Sequence, residues 1–377
     1  MKSCILTLTL VLLAATVVVA EETPEDAKIR DSIPLGGDFK PNPQVGAFVV
    51  VGHGARIIVS KDDGQTWKQA FFAAPGADHG PWATRSVAYT NGVFAVPVAW
   101  GGPTIYLASD DTVNWRHLTS GATKLPQSKD DPRVMTGFTW SLAGGKGAFV
   151  SSGYMTFSAT ADLGKTFTTF GMWGAFKDDP RGKLPNTHHI GAVYCGDASG
   201  RFLALGDNRG ESGPKFGHLL ASDDLGKTWK WLAPEGLDAS TGRGALTSNG
   251  KLLVMTDPIA ANAWTSADAG ETWDGPHATG TQRAALSVVN GEFWLCGKKS
   301  RASVDGKTWR DLPAAIPEGQ LIASDKGTLI SIHSQRFNIQ RSTDGGQTWQ
   351  EVHTFVPADI KGGAQGLRDG AFGHVAP

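Results

Sequence analysis

The chain has 377 residues, with 35 Lys or Arg against 36 Asp or Glu and a formal net charge of −1. No basic run or stripe is present, which argues against a nucleic-acid partner. Three cysteines, Cys4, Cys195 and Cys296, are too few for a disulfide framework. Forty-eight glycines without long amphipathic stretches point to an all-β fold.

In chain order, Met1-Lys2 precedes an apolar run from Ile5 to Val19 that closes on the small residues Val18-Val19-Ala20. This reads as a secretory signal peptide, removed near Ala20, and implies a secreted or periplasmic protein with no membrane span. Cys4 lies ahead of the apolar run and is no lipid-attachment cysteine. Residues 21–43 are polar and proline-bearing, and read as a flexible lead-in. Residues 44–377 read as one domain, because a repeated phrase runs through them without a break.

The phrase is Ser/Thr-x-Asp-x-Gly-x-Thr-Trp, and it comes seven times, every 37 to 62 residues. Full copies begin at Ser60, Ser222, Ser266 and Ser342. Thr160 to Phe167 keeps the spacing with Phe in place of Trp. Ser109 to Trp115 and Ser303 to Trp309 are one residue shorter. Asp62, Asp111, Asp162, Asp224, Asp268, Asp305 and Asp344 can each accept hydrogen bonds from the amides of their own turn. The glycine that follows supplies a positive φ in the longer copies, and the aromatic buries a large apolar face over the loop. These seven aspartates are therefore expected to be structural.

Between the phrases each unit has the same grammar. Arg85 to Tyr89 reads as a short strand, Asn91-Gly92 as a tight turn and Val93 to Ala99 as a second strand. Thr104 to Ser109 is a third strand and Trp115 to Thr119 a fourth. Asn249-Gly250, Asn290-Gly291 and Lys326-Gly327 mark the same turn in other units. Four antiparallel strands repeated radially make a seven-bladed β-propeller. Only two strands, Gly46 to Val51 and Arg56 to Ser60, precede the first phrase. Leu367 to Val375 is expected to supply the missing innermost strand and close the ring, leaving no open edge. Ile33 to Phe39 is the alternative filler.

The phrase resembles the Asp-box, or BNR repeat, of the sialidase-like β-propellers. In that family the box joins the third and fourth strands of a blade, away from the active site. The opposite face should then carry the links between blades and the links from second to third strand. Arg85, Arg133, Arg243, Arg283 and Arg368 stand at or just before innermost strands, with His188-His189 and Gln320 in the remaining blades. Radial symmetry should gather them at the mouth of the channel, where clustered guanidinium groups favour an anion. Arg matches carboxylate or sulfate geometry with two parallel hydrogen bonds. Second-to-third-strand loops add Tyr154, Arg209, Glu211, Asp257, His333 and Arg336 on the same face.

Resemblance to sialidases implies arginines clamping a sugar carboxylate, a Tyr–Glu nucleophile pair and an Asp acid/base, here Tyr154, Glu211 and Asp257. No Arg-Ile-Pro motif stands near the N-terminus; Arg30-Asp-Ser-Ile-Pro34 is a loose echo. Similar seven-bladed lyases of uronate polymers would instead use His188, His189 and Tyr154 beside Arg133. Asp-box propellers also include lectin-like proteins and photosystem II assembly factors, which bind without turnover. The expected partner is an anionic glycan or an acidic protein segment. No cofactor is implied, and His188-His189 lacks further metal ligands at fixed spacing. A closed ring needs no second copy, so a monomer is expected.

Overall fold

The computed structural model describes residues 23–52, 54–73, 80–100, 105–119, 139–153, 156–171, 189–196, 200–207, 218–232, 237, 244–257, 259–334, 336–354 and 366–377. Seven antiparallel sheets follow one another along the chain as blades of a propeller. Blade 1 is ordered Leu367–Val375, Val45–Gly52, Arg56–Ser60, Lys68–Phe71 from one edge to the other. Leu367–Val375 pairs along the whole of Val45–Gly52, with Val45 opposite Val375 and Gly52 opposite Leu367. The C-terminal strand thus closes the ring, as the sequence predicts.

Ile33–Phe39, the alternative filler, lies elsewhere. It follows a helix, Pro24–Ser32, whose start is fixed by a capping box between Thr23 and Asp26 and by proline in the first turn. Trp82 donates its indole N–H to the Asp26 carboxylate at 2.6 Å. The chain then runs beside Arg116–His117, the outer strand of blade 2: His117 N donates to Pro34 O, and Gly36 N to Thr119 O, both at 2.8 Å. Ile33 and Phe39 are buried, and the Arg116 guanidinium stacks 4.2 Å from the Phe39 ring centre. Residues 23–43 of the lead-in thus form a strap that covers a blade edge.

Blade 2 differs from its sequence reading in one further respect. Its inner side is split into Gly80–Thr84 and Ala88–Thr90, both paired with Val93–Trp100. Thr84 stands opposite Val98 and Ala88 opposite Ala95, so the inner side holds one extra residue between those pairs. The bulge frees Arg85, Ser86 and Val87 from the ladder. The turn at Asn91-Gly92 has φ of 46° and 81°, as a two-residue hairpin turn demands.

The repeated phrase folds the same way in each blade. In the first, Ser60 Oγ donates to Asp62 Oδ1 at 2.8 Å and accepts from Gly64 N at 2.9 Å. Thr66 gives its N–H to Oδ1 (2.9 Å) and its hydroxyl to Oδ2 (2.6 Å), and Trp67 Nε1 donates to Gly64 O at 3.1 Å. Asp162, Asp224, Asp268 and Asp344 repeat the Ser/Thr and Thr bonds. The shortened copies use Asn114 around Asp111 and Thr308 around Asp305.

Each turn also grips its neighbour. At Gly226 a side chain would meet Val150 of the preceding blade at 2.6 Å, so glycine is required there by close approach as well as by its φ of 87°. Trp229 stacks on Phe157 of that blade, centroids 3.8 Å apart and planes 13° from parallel. The core is accordingly a ring of wedges between blades. Seven apolar clusters each take one aromatic of the phrase: Trp115, Trp229, Phe167, Trp67, Trp273, Trp349 and Trp309.

Candidate functional site

Innermost strands begin at the channel mouth, so residues just before them share a rim. Arg283 precedes Ala285–Val289 of blade 6, Gln320 opens Gln320–Ala323 of blade 7, and Arg368 lies near the start of Leu367–Val375 of blade 1. These three line one cavity of about 290 Å³, together with Glu318, His333, Ser334 and the buried Cys296. His333 comes from the loop after the second strand of blade 7, as the shared-face geometry requires. Arg336 follows it, exposed, and gives its N–H to His333 O at 3.0 Å.

Arg283 has a φ of 52°, a left-handed conformation that costs a non-glycine residue about 1–2 kcal/mol. Among the described residues Arg283 makes no ion pair. The electrostatics of the cavity are mixed. Burial pushes the His333 imidazole below its ordinary value, the Arg336 charge pushes it further, and Glu318 pulls the other way. Its neutral ring offers one donor and one acceptor. Burial drives the Cys296 thiol up to about 12, so it is no nucleophile at neutral pH.

Beside this cavity lies Asp369, which sequence reasoning did not single out. Its Oδ1 accepts from Gln320 Nε2 and from Gly370 N, both at 2.8 Å; its Oδ2 accepts from Val87 N at 2.9 Å and Ser86 Oγ at 3.0 Å. Burial pushes this carboxyl above its ordinary value against those four donors. With every acceptor position taken, it joins blades 7, 1 and 2. Arg85, half-buried, adjoins Ser86 in the bulge of blade 2.

The remaining sequence candidates divide in two. Asp257 is buried at the end of Leu253–Asp257, and its Oδ1 caps the following turn, accepting from Ile259 N at 2.8 Å and Ala260 N at 2.9 Å. That is a turn-bracing geometry rather than the poised acid/base the resemblance implies. Of the other tyrosines, Tyr89 donates to His374 O and Tyr106 to Ser151 Oγ, both across blade seams. His189 opens the innermost strand of blade 4, opposite Asp207. Tyr154, His188, Arg209, Glu211, Arg133 and Arg243 lie outside the described residues. Glu318 was missed because it stands two residues before a strand, where only basic residues were sought. Among the described residues, no group of three or more His, Cys, Asp or Glu is placed to hold a metal, and no helix is long and apolar enough to cross a membrane.

Residues 233–360 match the family model described as the DUF6242 beta propeller domain. No curated protein matches the chain. Among solved structures, a functionally unknown protein from Desulfotomaculum acetoxidans DSM 771 superposes with a TM-score of 0.57 at 12% identity, covering 88% of this chain and 100% of that one. A lactonase-like protein from Bacteroides fragilis NCTC 9343 gives 0.54 at 11% identity, over 89% and 99% of the two chains. A streptogramin B lyase gives 0.50 at 13%, over 72% and 83%. What these share with the chain is the propeller.

Proposed function

We propose that this protein is an exported propeller that binds an anionic ligand at the channel mouth without turning it over. The ligand class is an anionic glycan or an acidic protein segment. One observation carries the reading: Arg283 and Arg368, far apart in sequence, converge on one cavity with Gln320 between them. A charge-assisted hydrogen bond to a carboxylate contributes about 1.5–3 kcal/mol, and two guanidinium groups can supply several. The cavity is at the small end of ligand pockets, which span roughly 300–1,000 Å³, so it suits one residue of a polymer.

Binding is favoured over hydrolysis by the carboxylate count. Glycoside hydrolysis generally uses two carboxylates flanking the bond, whereas the described lining supplies one, Glu318. Asp257 is occupied with its turn. A sialidase-like scaffold used for recognition accounts for both facts. Export after cleavage near Ala20 belongs to the same reading, and N-terminal sequencing of the secreted protein tests it.

The deciding experiment is calorimetric titration with sialosides, uronate polymers and sulfated glycans, repeated with Arg283→Ala and Arg368→Ala, beside a turnover assay on each glycan. Binding lost in both variants, with no product formed, supports the proposal. Affinity unchanged in both variants would overturn it, and product release by the wild type would move the protein among the hydrolases or lyases.

A further inference from the structure

We propose that Glu318 is a specificity-determining residue: it makes the channel-mouth cavity take a monocarboxylate bearing neighbouring hydroxyl or ammonium groups and reject sulfate-like dianions. The inference rests on the anion-binding reading above and narrows it.

Glu318 is held in place by its surroundings. Gly319, which follows it, has a φ of 123°, and a side chain there would run into the carbonyl oxygen of Ile332. Gly319 N points to Cys296 O of blade 6 at 3.5 Å, and Ile316, on the other side, is buried against blade 6. The link from Ile316 to Gln320 therefore runs between two fixed points, and the half-buried Glu318 lines the same cavity as Arg283 and Arg368.

An acid in a basic cluster most often neutralises a nearby cation. Among the described residues Glu318 makes no ion pair, so its oxygens stay available as acceptors. Gln320 adds another acceptor, because its Nε2 is committed to Asp369 and its Oε1 is left over. The charge of Glu318 is felt within the cavity, as its opposing pull on His333 attests. The lining is thus bipolar, with two guanidinium groups set against two acceptors.

A ligand matching this lining brings its own polarity. A sugar acid or an amino acid offers a carboxylate to the arginines and hydroxyl or ammonium donors to Glu318 and Gln320, and hydrogen bonds to an ionised acceptor are the stronger kind. A sulfate dianion has no donor for Glu318 and meets a like charge instead, which lowers affinity. Rejection of a competitor by a placed repulsive group is how specificity is commonly obtained.

The test compares D-glucuronate with inorganic sulfate by calorimetry, using wild type, Glu318→Gln and Arg368→Ala. Wild type should prefer glucuronate. Glu318→Gln, which keeps the shape and drops the charge, should shift the glucuronate-to-sulfate affinity ratio by at least about tenfold toward sulfate. A ratio unchanged in Glu318→Gln, with both anions lost in Arg368→Ala, would overturn the role of Glu318 and leave the anion site standing. Neither anion binding to wild type would overturn both readings.

Discussion

Gln320 Nε2 donates to Asp369 Oδ1 at 2.8 Å, joining the start of the seventh blade to the strand that completes the first. The other carboxylate oxygen accepts from Val87 N and from Ser86 Oγ, which also accepts from Leu142 N of the third blade at 3.2 Å. Four consecutive blades are therefore tied through two side chains, Asp369 and Ser86. Asp369→Ala would strand the backbone N–H groups of Val87 and Gly370 and leave Gln320 and Ser86 only their longer contacts to Gly370 O and Leu142 O, and should cost about 3 kcal/mol. Denaturant melts check this. A midpoint equal to wild type would mean that the network does not bear on ring closure.

Stability should depend on pH with two opposite signs. In six of the repeated turns burial works to raise the aspartate but is outweighed by hydrogen bonds; in Asp344 the Thr348 hydroxyl leads. All seven are held below their ordinary value of 3.8. Their contribution is complete above that value and is lost as pH falls through the lowered folded values. Asp369 is raised by burial, so its contribution is present below 3.8 and is lost as pH climbs through the folded value. Asp369→Asn cannot ionise but turns its amide NH2 toward two of the four donors, so its thermal melts should be lower throughout, lack the decline that begins above 3.8 and keep the acid collapse. An Asp369→Asn profile parallel to wild type at every pH would refute the assignment.

Within a turn, the aromatic should matter more than the acid. Trp229→Ala removes a buried ring stacked on Phe157 and should cost about 3–5 kcal/mol. Asp224→Ala, which breaks bonds to Ser222 and Thr228, should cost about 1–3 kcal/mol. A double-mutant cycle between Phe157 and Trp229 should return a coupling of about 1 kcal/mol. Zero coupling would show that the stack contributes no more than buried area.

Arg283→Gly separates strain from function. Glycine accepts the 52° φ freely, so the variant should be as stable as wild type or more stable by up to about 1 kcal/mol. Its affinity for carboxylate ligands should nevertheless fall. Retained affinity in a stabilised variant would remove Arg283 from the site.

The propeller was legible because one phrase recurs seven times, and the closing strand because the first unit lacks one that the last unit holds spare. The strap was not. Residues 21–43 offer only scattered apolar anchors, Ile29, Ile33 and Phe39, and they pack against residues of blade 2 much later in the chain, Trp82 and Trp115 among those in the first cluster. The bulge at Arg85 escaped notice for a related reason: Ser86 and Val87 leave the ladder to reach Asp369, a partner 282 or 283 residues away. Position relative to the strands picked out Arg283, Gln320 and Arg368. Reading only for positive charge concealed Glu318, whose relevance depends on what faces it across a cavity.

Pairing of Val45–Gly52 with Leu367–Val375 also has a consequence for biogenesis. At about 5–20 residues per second, the early strand leaves the ribosome tens of seconds before its mate is translated, with an adhesive border exposed throughout. The first blade cannot mature co-translationally. A polypeptide that terminates before residue 367 keeps that border bare, so a prematurely stopped product is marked for aggregation or proteolysis by the architecture itself.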